Sequence, residues 1–211
     1  MTCFLLVGKE TYMNKTRYLA TVAILAALAM ILTLFRVPLP FLPSFYKLDF
    51  SESVIILGGY ILTPLATVVM QLLKTLLKII ISGSNSAYVG DLANLIMGVA
   101  FVLPAAWYYH KNKNHQGVII GLIIGVVVLT IVGCLVNYYI LLPMYAGMYH
   151  MDIKDIIAMG TALNGNVTSL FSFVLLMTAP FNLIKGSASA VIVYLIYRST
   201  YNVLFKNIEN N

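Results

Sequence analysis

Lys185 follows Asn182 by three residues inside a long apolar segment, and this pair is well suited to binding chemistry. Residues three apart lie on the same face of a helix, so one ligand can meet both side chains. Together they offer several hydrogen-bond donors and one acceptor. An ionisable side chain inside a membrane span is costly and is usually functional. The alternative is a lysine that extends its ammonium group to the lipid headgroups.

A second group of polar and aromatic side chains lies in residues 41–52, which read Phe-Leu-Pro-Ser-Phe-Tyr-Lys-Leu-Asp-Phe-Ser-Glu. Tyr46 and Phe50 can stack on a flat ligand, although aromatic residues are also enriched at membrane interfaces without any ligand. Asp49 and Glu52 are predicted to anchor this loop to the top of the next helix. We therefore predict that residues 41–52 close over a binding pocket.

Asn94 and Asn137 are each flanked by apolar residues in predicted helices. A buried amide presents two donors and one acceptor, which suits the imide edge of a flat heterocycle. The same amide also suits a hydrogen bond between two helices. The residues alone leave both roles open.

Three polar residues, Gln71, Lys74 and Lys78, follow one another at spacings of three and four on one predicted helix. This spacing places them on a single face. They can line a ligand cavity, face a partner protein, or pair with the carboxylates of Glu52 or Asp91. All three interpretations remain open at this point.

The composition predicts an integral membrane protein. Of the 211 residues, 61% are hydrophobic and 9% are charged, and the mean hydropathy is +0.92. A chain of this size cannot hide so much apolar surface in a water-soluble core. The formal net charge of +6 comes from basic residues at the ends of apolar segments, which indicates membrane topology and argues against nucleic-acid binding.

The motifs of several enzyme and metal-site classes are absent from the sequence. It contains no phosphate-binding loop, no His-Glu-x-x-His motif and no cysteine or histidine cluster at metal-ligand spacing. We therefore expect no catalysed reaction, no metal site and no bound cofactor.

The apolar segments predict an all-α membrane protein with six spans. Because residues 166–200 would form a helix of about 50 Å, too long for a hydrocarbon layer of about 30 Å, we split this run at Pro180. Residues 167–179 then become a short interfacial or re-entrant piece, and Pro143 ends the fifth span. The predicted spans cover approximately residues 17–37, 51–62, 65–82, 89–109, 117–142 and 181–200.

These spans define one six-helix membrane domain over residues 15–205. Residues 1–14 form a predicted N-terminal tail, most of which would precede an alternative start at Met13, and residues 206–211 form a C-terminal tail. The distribution of lysine and arginine predicts that both termini are cytoplasmic. Residues 41–52 and the start of the last span then share the outer half of the membrane, where the pocket is expected.

The sequence resembles the substrate-binding S components of energy-coupling factor (ECF) vitamin transporters, and among these the riboflavin-specific ones. The resemblance covers approximately residues 15–198, and Ala23 and Ala27, four residues apart, match it on the first span. Five further segments carry it in order: Phe-Tyr-Lys-Leu-Asp-Phe-Ser-Glu at 45–52, Leu-Leu-Lys-Thr-Leu-Leu at 72–77, Leu-Ala-Asn-Leu-Ile-Met-Gly at 92–98, Leu-Val-Asn-Tyr at 135–138 and Pro-Phe-Asn-Leu-Ile-Lys-Gly at 180–186. Residues 145–179 depart from the family pattern.

The resemblance implies a function in uptake across the bacterial cytoplasmic membrane. Riboflavin would be the transported substrate, bound from outside the cell, and the chain would work with a transmembrane T component and two ATPase subunits. Asn182 and Lys185 match the segment that contacts the ligand, and Asn94, Asn137 and the loop around Leu48 and Asp49 are implied as further contacts. Ala23 and Ala27 match the surface that docks on the T component.

Two other functions remain as alternatives. One is an S component for another vitamin or for the flavin nucleotides FMN and FAD. The other is a membrane-embedded enzyme that uses Lys185 or the outer carboxylates. The absorption spectrum of the purified chain distinguishes flavin binding from both a different vitamin and an unrelated enzyme.

Overall fold

The computed structural model of the chain describes residues 14–40, 42–43, 46–84, 88–148 and 150–206. The alternative start at Met13 and most of both predicted tails lie outside these residues, as do Phe41 and Phe45 of the predicted lid. The described residues form seven helices: α1 Lys15–Leu34, α2 Ser51–Ile61, α3 Pro64–Ser82, α4 Val89–Lys111, α5 His115–Met148, α6 Ile153–Thr161 and α7 Leu170–Phe205.

The loop between α1 and α2 contains a small antiparallel hairpin. Strand β1 Val37–Pro38 pairs with β2 Lys47–Leu48, so that Val37 lies opposite Leu48 and Pro38 opposite Lys47. The hairpin folds the loop back over the bundle.

Five helices, α1, α3, α4, α5 and α7, are long and apolar enough to cross a membrane. Helix α2 has 11 residues and covers about 16 Å, roughly half of the hydrocarbon layer. The predicted all-helical architecture is confirmed. The number of six crossing helices remains a prediction.

Local sequence explains where α3 and α5 begin. The Thr63 side chain accepts a hydrogen bond from the Ala66 N–H at 3.1 Å, and Pro64 occupies the first turn of α3. The Asn114 side chain caps α5 by accepting from the Gly117 N–H at 2.7 Å. Both starts follow polar residues that satisfy otherwise unpaired N–H groups.

The predicted helix boundaries at Pro143 and Pro180 are wrong. Helix α5 continues past Pro143 to Met148, and α7 runs without a break from Leu170 to Phe205. At 1.5 Å per residue, the 36 residues of α7 correspond to about 54 Å. Residues 170–179 are therefore part of the last long helix, so the predicted short interfacial piece at 167–179 is wrong.

A π-helical turn explains how each helix accommodates its proline. The turns are Asn137–Leu141 and Val174–Thr178, and each ends two residues before the proline. Directly after each turn, a backbone N–H donates to the carbonyl five residues earlier: Leu142 to Asn137, and Ala179 to Val174. A wider turn changes the hydrogen-bond pattern at the site where proline lacks an N–H and would clash with a regular helical turn.

The first and last described helices begin and end, respectively, at the same end of the bundle. The Tyr18 hydroxyl lies 3.2 Å from the Thr63 hydroxyl, and His110 Nε2 lies 2.8 Å from the Gly59 carbonyl. The ring of His115 packs on that of Tyr201 at a centroid distance of 4.7 Å. We call this the terminal end, formed by residues 15–18, 59–63, 110–115 and 197–206. The opposite end, with residues 35–40, 42–43, 46–52, 78–84, 88–91, 137–148 and 150–182, is the loop end.

The hydrophobic core has two main parts. One lies between α1, α2, α3, α4, α5 and α7, with the fully buried rings of Tyr60, Phe101 and Tyr197 among its members. The other lies at the loop end, where Leu42, Tyr46 and Leu48 of the loop pack against α5, α6 and α7. The loop is therefore built into a hydrophobic cluster of its own.

Candidate functional site

A cavity at the loop end brings together most of the predicted site residues. It has a volume of about 80 Å³ and lies between the α1–α2 loop, α4, α5 and α7. Six of the eight predicted substrate-binding residues line it: Tyr46, Asp49, Asn94, Asn137, Asn182 and Lys185. Sequence spacing and the resemblance together predicted this set from four separate segments.

The other two predicted residues, Leu48 and Phe50, do not line the cavity. The Leu48 side chain is buried in the hydrophobic cluster of the loop. Phe50 is half-buried and immediately precedes α2. Their positions suit packing of the loop more directly than contact with a ligand.

Eight further residues line the cavity without having been predicted as site residues. Some of them could have been predicted from their helical spacing to residues already predicted. Gly90 and Met97 lie four and three residues from Asn94, and Leu141 lies four residues after Asn137. The remaining five are Arg36, Lys47, Leu129, Tyr145 and Phe181. From the sequence alone, Arg36 and Tyr145 suit a position at the membrane interface as well as a position in the cavity wall.

Asn182 presents an unpaired donor in a buried position. Its side chain is 2% exposed, and its Nδ2 atom has no hydrogen-bond partner among the described residues. The amide lies against Gly133 of α5, where an added Cβ atom would overlap Nδ2. Leaving a buried donor unpaired is costly. A ligand with an acceptor atom in the cavity would satisfy it.

Lys185 lies beside two carboxylates. Its Nζ atom is 3.6 Å from Asp49 Oδ2 and 3.5 Å from Glu52 Oε1. Lys74 of α3 reaches the same Glu52 oxygen at 3.3 Å and the Ser51 hydroxyl at 3.0 Å. That hydroxyl donates to Asp49 Oδ1 at 2.5 Å.

These contacts close a ring of five side chains, the charged ring: Asp49, Ser51, Glu52, Lys74 and Lys185. Two of its members, Asp49 and Lys185, line the cavity, and the other three lie behind it. Burial raises the pKa of the Asp49 carboxyl, but Lys185, Lys74 and the Ser51 hydroxyl together hold that pKa below its usual range. Asp49 is therefore a carboxylate, as the predicted anchoring role requires.

The stripe of polar residues on α3 pairs with carboxylates. Lys74 contacts Glu52, and Lys78 contacts Asp91 at 2.8 Å. Gln71 is fully buried, and its amide lies against Gly98 of α4. Since none of these α3 residues lines the cavity, pairing is the interpretation that the structure supports for both lysines.

Tyr46 connects the loop to the two π-helical turns that precede Pro143 and Pro180. Its hydroxyl donates to Asn137 Oδ1 at 3.2 Å and shares a hydrogen bond of 2.5 Å with the Thr178 hydroxyl. Its ring packs on that of Phe181 at a centroid distance of 4.7 Å. Burial raises the pKa of the Tyr46 phenol, which stays protonated and able to donate.

Ala23 and Ala27 lie far from this chemistry, on the exposed face of α1. Neither residue lines the cavity. The neighbouring Ile24 and Leu28 are exposed as well. Small residues on an exposed helix face permit the close approach of another helix.

A larger cleft of about 390 Å³ lies between α3 and α4. Its walls are almost entirely apolar and include Leu72, Leu76, Ile79 and Leu92. Polar groups that fix the orientation of a ligand are a usual feature of specific sites. The smaller, polar cavity is therefore the candidate binding site.

Fold and cavity together define a helical protein with membrane-length apolar helices and a polar cavity between them. The chain belongs to the family described as ECF transporter, substrate-specific component, whose family model matches residues 17–197. The family predicted from the five sequence segments is thereby confirmed.

Relatives and a solved structure agree with this assignment. The riboflavin transporter RibU of Staphylococcus aureus (strain TCH60) is 32% identical over 201 residues, which cover 93% of this chain and 96% of that protein. The riboflavin transporter FmnP of Bacillus subtilis (strain 168) is 33% identical over 184 residues, covering 87% and 91%. A solved structure described as "Structure and mechanism of the S component of a bacterial ECF transporter" matches with a TM-score of 0.71 and 32% identity, covering 90% of this chain and 99% of that one.

Proposed function

We propose that this chain is the riboflavin-binding S component of an ECF transporter, which captures the vitamin outside the cell and carries it across the membrane. The observation that carries the proposal is that the unpaired Asn182 amide and the Lys185 ammonium share a cavity that the α1–α2 loop helps to line. Both groups donate hydrogen bonds, which suits the carbonyl oxygens and ring nitrogens of a flavin. The names of the curated relatives point to the same substrate.

The walls of the cavity suit a flat aromatic ring with a polar tail. Tyr46, Tyr145 and Phe181 supply aromatic surface on which an isoalloxazine ring can stack. Asn94 and Asp49 supply polar groups for a ribityl chain. Riboflavin is bound as cargo, so no cofactor is needed, and membership of a transporter family supports the absence of a catalysed reaction.

The experiment is a riboflavin titration of the detergent-purified chain, monitored by quenching of flavin fluorescence. Saturable binding with one riboflavin per chain is expected. FMN, FAD and an unrelated vitamin are added as competitors, so that a nucleotide or another vitamin that binds more tightly would identify the alternative substrate. A chain that binds none of these compounds would overturn the proposal.

The orientation follows from the charges. Six basic residues lie at the terminal end: Lys15, Arg17, Lys111, Lys113, Arg198 and Lys206. All five described carboxylates lie at the loop end: Asp49, Glu52, Asp91, Asp152 and Asp155. By the positive-inside rule, the six residues support a cytoplasmic terminal end and a cavity in the outer half of the cell membrane, with Arg36, Lys47, Lys78 and Lys154 at the loop end as exceptions. Labelling of a cysteine at Lys154, but not at Lys113, by an impermeant reagent on intact cells tests this orientation.

The remaining partners are a T component and two ATPase subunits. The sequence contains no phosphate-binding loop, so the energy of ATP must come from other chains. The exposed Ala23 and Ala27 on α1 form a flat surface on which a T-component helix can pack closely. Co-purification of the chain with co-expressed T component and ATPases, lost on enlarging Ala27, would support this assembly.

A further inference from the structure

The charged ring contains a lysine that does not face the cavity. Lys74 belongs to α3, its side chain is 6% exposed, and it contacts Glu52 and Ser51 behind the cavity wall. Lys185 belongs to α7 and does line the cavity. Both ammonium groups share the same oxygen of Glu52, so a change at one of them alters the electrostatic surroundings of the other.

The ring is neutral as a whole. It holds two carboxylates, Asp49 and Glu52, and two ammonium groups, Lys74 and Lys185, with side-chain exposures between 5% and 11%. Charges in such surroundings are stable only when they are balanced and hydrogen-bonded. Removal of one ammonium group would leave the ring with two carboxylates and one ammonium group, with the Arg36 guanidinium acting on Asp49 from outside the ring.

Lys185 is held more loosely than Lys74. Its distances to the carboxylates are 3.5 and 3.6 Å, whereas Lys74 lies 3.3 Å from Glu52 and 3.0 Å from the Ser51 hydroxyl. Close charge-assisted hydrogen bonds measure about 2.7–2.9 Å. The Lys185 ammonium therefore retains the freedom to turn toward a ligand.

We propose that Lys74 is a positioning residue for the ligand. By balancing Glu52 and fixing Ser51 from behind the cavity, it leaves Lys185 available to the bound molecule and holds Asp49 at the base of the loop. Without Lys74, Lys185 is drawn fully onto Asp49 and Glu52 and away from the cavity. The inference rests on the proposed function, because its readout is the affinity for riboflavin.

The test compares riboflavin affinities of purified variants. Lys74→Met keeps the length of the side chain and removes its charge, and we expect binding about tenfold weaker or more, the usual weight of a hydrogen bond to a charged group. Lys74→Arg restores the charge and should bind within a few-fold of wild type. Lys78→Met is the matched control, since Lys78 is also an ion-paired lysine of α3, partly buried, but contacts Asp91 outside the charged ring. Its affinity should not change.

A double variant separates charge balance from packing. In Glu52→Gln the carboxylate that Lys74 balances is gone, so adding Lys74→Met should change the affinity by less than about threefold relative to Glu52→Gln alone. The same drop in both backgrounds would refute the positioning role. This comparison remains informative if Lys74→Met alone does not fold, because the double variant keeps the ring neutral.

The outcomes distinguish this inference from the proposed function. Wild-type binding together with an unchanged affinity of Lys74→Met refutes the inference alone. A wild-type chain that binds no riboflavin refutes the proposed function and the inference with it.

Discussion

Replacement of Tyr46 by phenylalanine tests whether the α1–α2 loop is a latch over the cavity. The change removes one hydroxyl and keeps the ring that packs on Phe181. It deletes the contacts to Asn137 Oδ1 at 3.2 Å and to the Thr178 hydroxyl at 2.5 Å. Leu42 and Leu48 would still hold the loop in its hydrophobic cluster, so we expect it to open more often without unfolding.

The expected magnitude follows from the two lost contacts. A hydrogen bond between neutral groups contributes about 0.5–1.5 kcal/mol, so the closed loop should lose about 1–3 kcal/mol. That loss corresponds to a factor of about 5–150 in the equilibrium between closed and open loops. If the loop must open before the ligand leaves, riboflavin dissociation should accelerate by a similar factor. We expect roughly tenfold.

Stopped-flow fluorescence measures this dissociation when bound riboflavin is displaced by an excess of a non-fluorescent competitor. Tyr18→Phe is the matched control, because it removes a tyrosine–threonine contact of 3.2 Å at the terminal end. Thr178→Val removes the same contact from the other side and should also accelerate release. Because Thr178 does not line the cavity, this effect would act through the loop. If Tyr46 acts through its contact with Thr178, the effects of Tyr46→Phe and Thr178→Val on the dissociation rate will not add in the double variant. An unchanged dissociation rate in Tyr46→Phe would refute the latch.

Three further predictions concern other parts of the molecule. Lys185→Ala should weaken riboflavin binding by about tenfold or more. Substitution of the exposed Lys154 by alanine is the control and should leave the affinity unchanged. If both variants bind riboflavin equally well, Lys185 does not contribute to the binding site. Ala27→Leu should preserve binding in detergent but block uptake by cells, and lost binding would contradict the separation of pocket and docking face. Because the pKa of Asp49 is lowered in the folded chain, the unfolded chain takes up that proton first. The stability that Asp49 contributes is therefore complete above its ordinary pKa of about 3.9 and is lost below it, so acidification from pH 5 to 3.5 should lower the melting temperature of wild type more than that of Asp49→Asn.

Several features of the site were predictable from the sequence because they depend on local spacing. Asn182 and Lys185 share a helix face at a separation of three, and both line the cavity. The amide of Asn137 lines the same cavity from α5. Asn94 also lines it, but its side chain is exposed, in contrast to the buried amide that its apolar neighbours favour.

Other features were not predictable because they depend on tertiary contacts. The sequence places Lys74 and Lys78 on one face of α3 but does not indicate which carboxylate each one meets. In the structure Glu52 and Asp91, from α2 and α4, satisfy them separately. An ion pair between two helices depends on how the helices pack, and the spacing of residues along one sequence does not indicate this packing.

The helix boundaries failed for a related reason. Proline usually marks a helix boundary, and the sequence predicts a helix end at Pro143 and a helix start at Pro180. The π-helical turns that allow both helices to continue cannot be distinguished from α-helix by their residue types. Apart from Asn137 and Thr178, the residues of these turns are ordinary apolar and aromatic helix residues.

Each π-helical turn also resets the angular phase of its helix. An α-helix advances by 100° per residue, so the extra residue of a wide turn rotates everything after it by about that angle relative to everything before it. Phe173 and Met177 before Pro180, and Asn182 and Lys185 after it, all face inward under this shifted phase. If Val174–Thr178 formed a regular α-helical turn with all its residues kept, one half of α7 would rotate against the other and turn either the hydrophobic cluster or the ligand-facing pair outward. The inventory of side chains would be unchanged, and the pocket would be lost through helical phase alone.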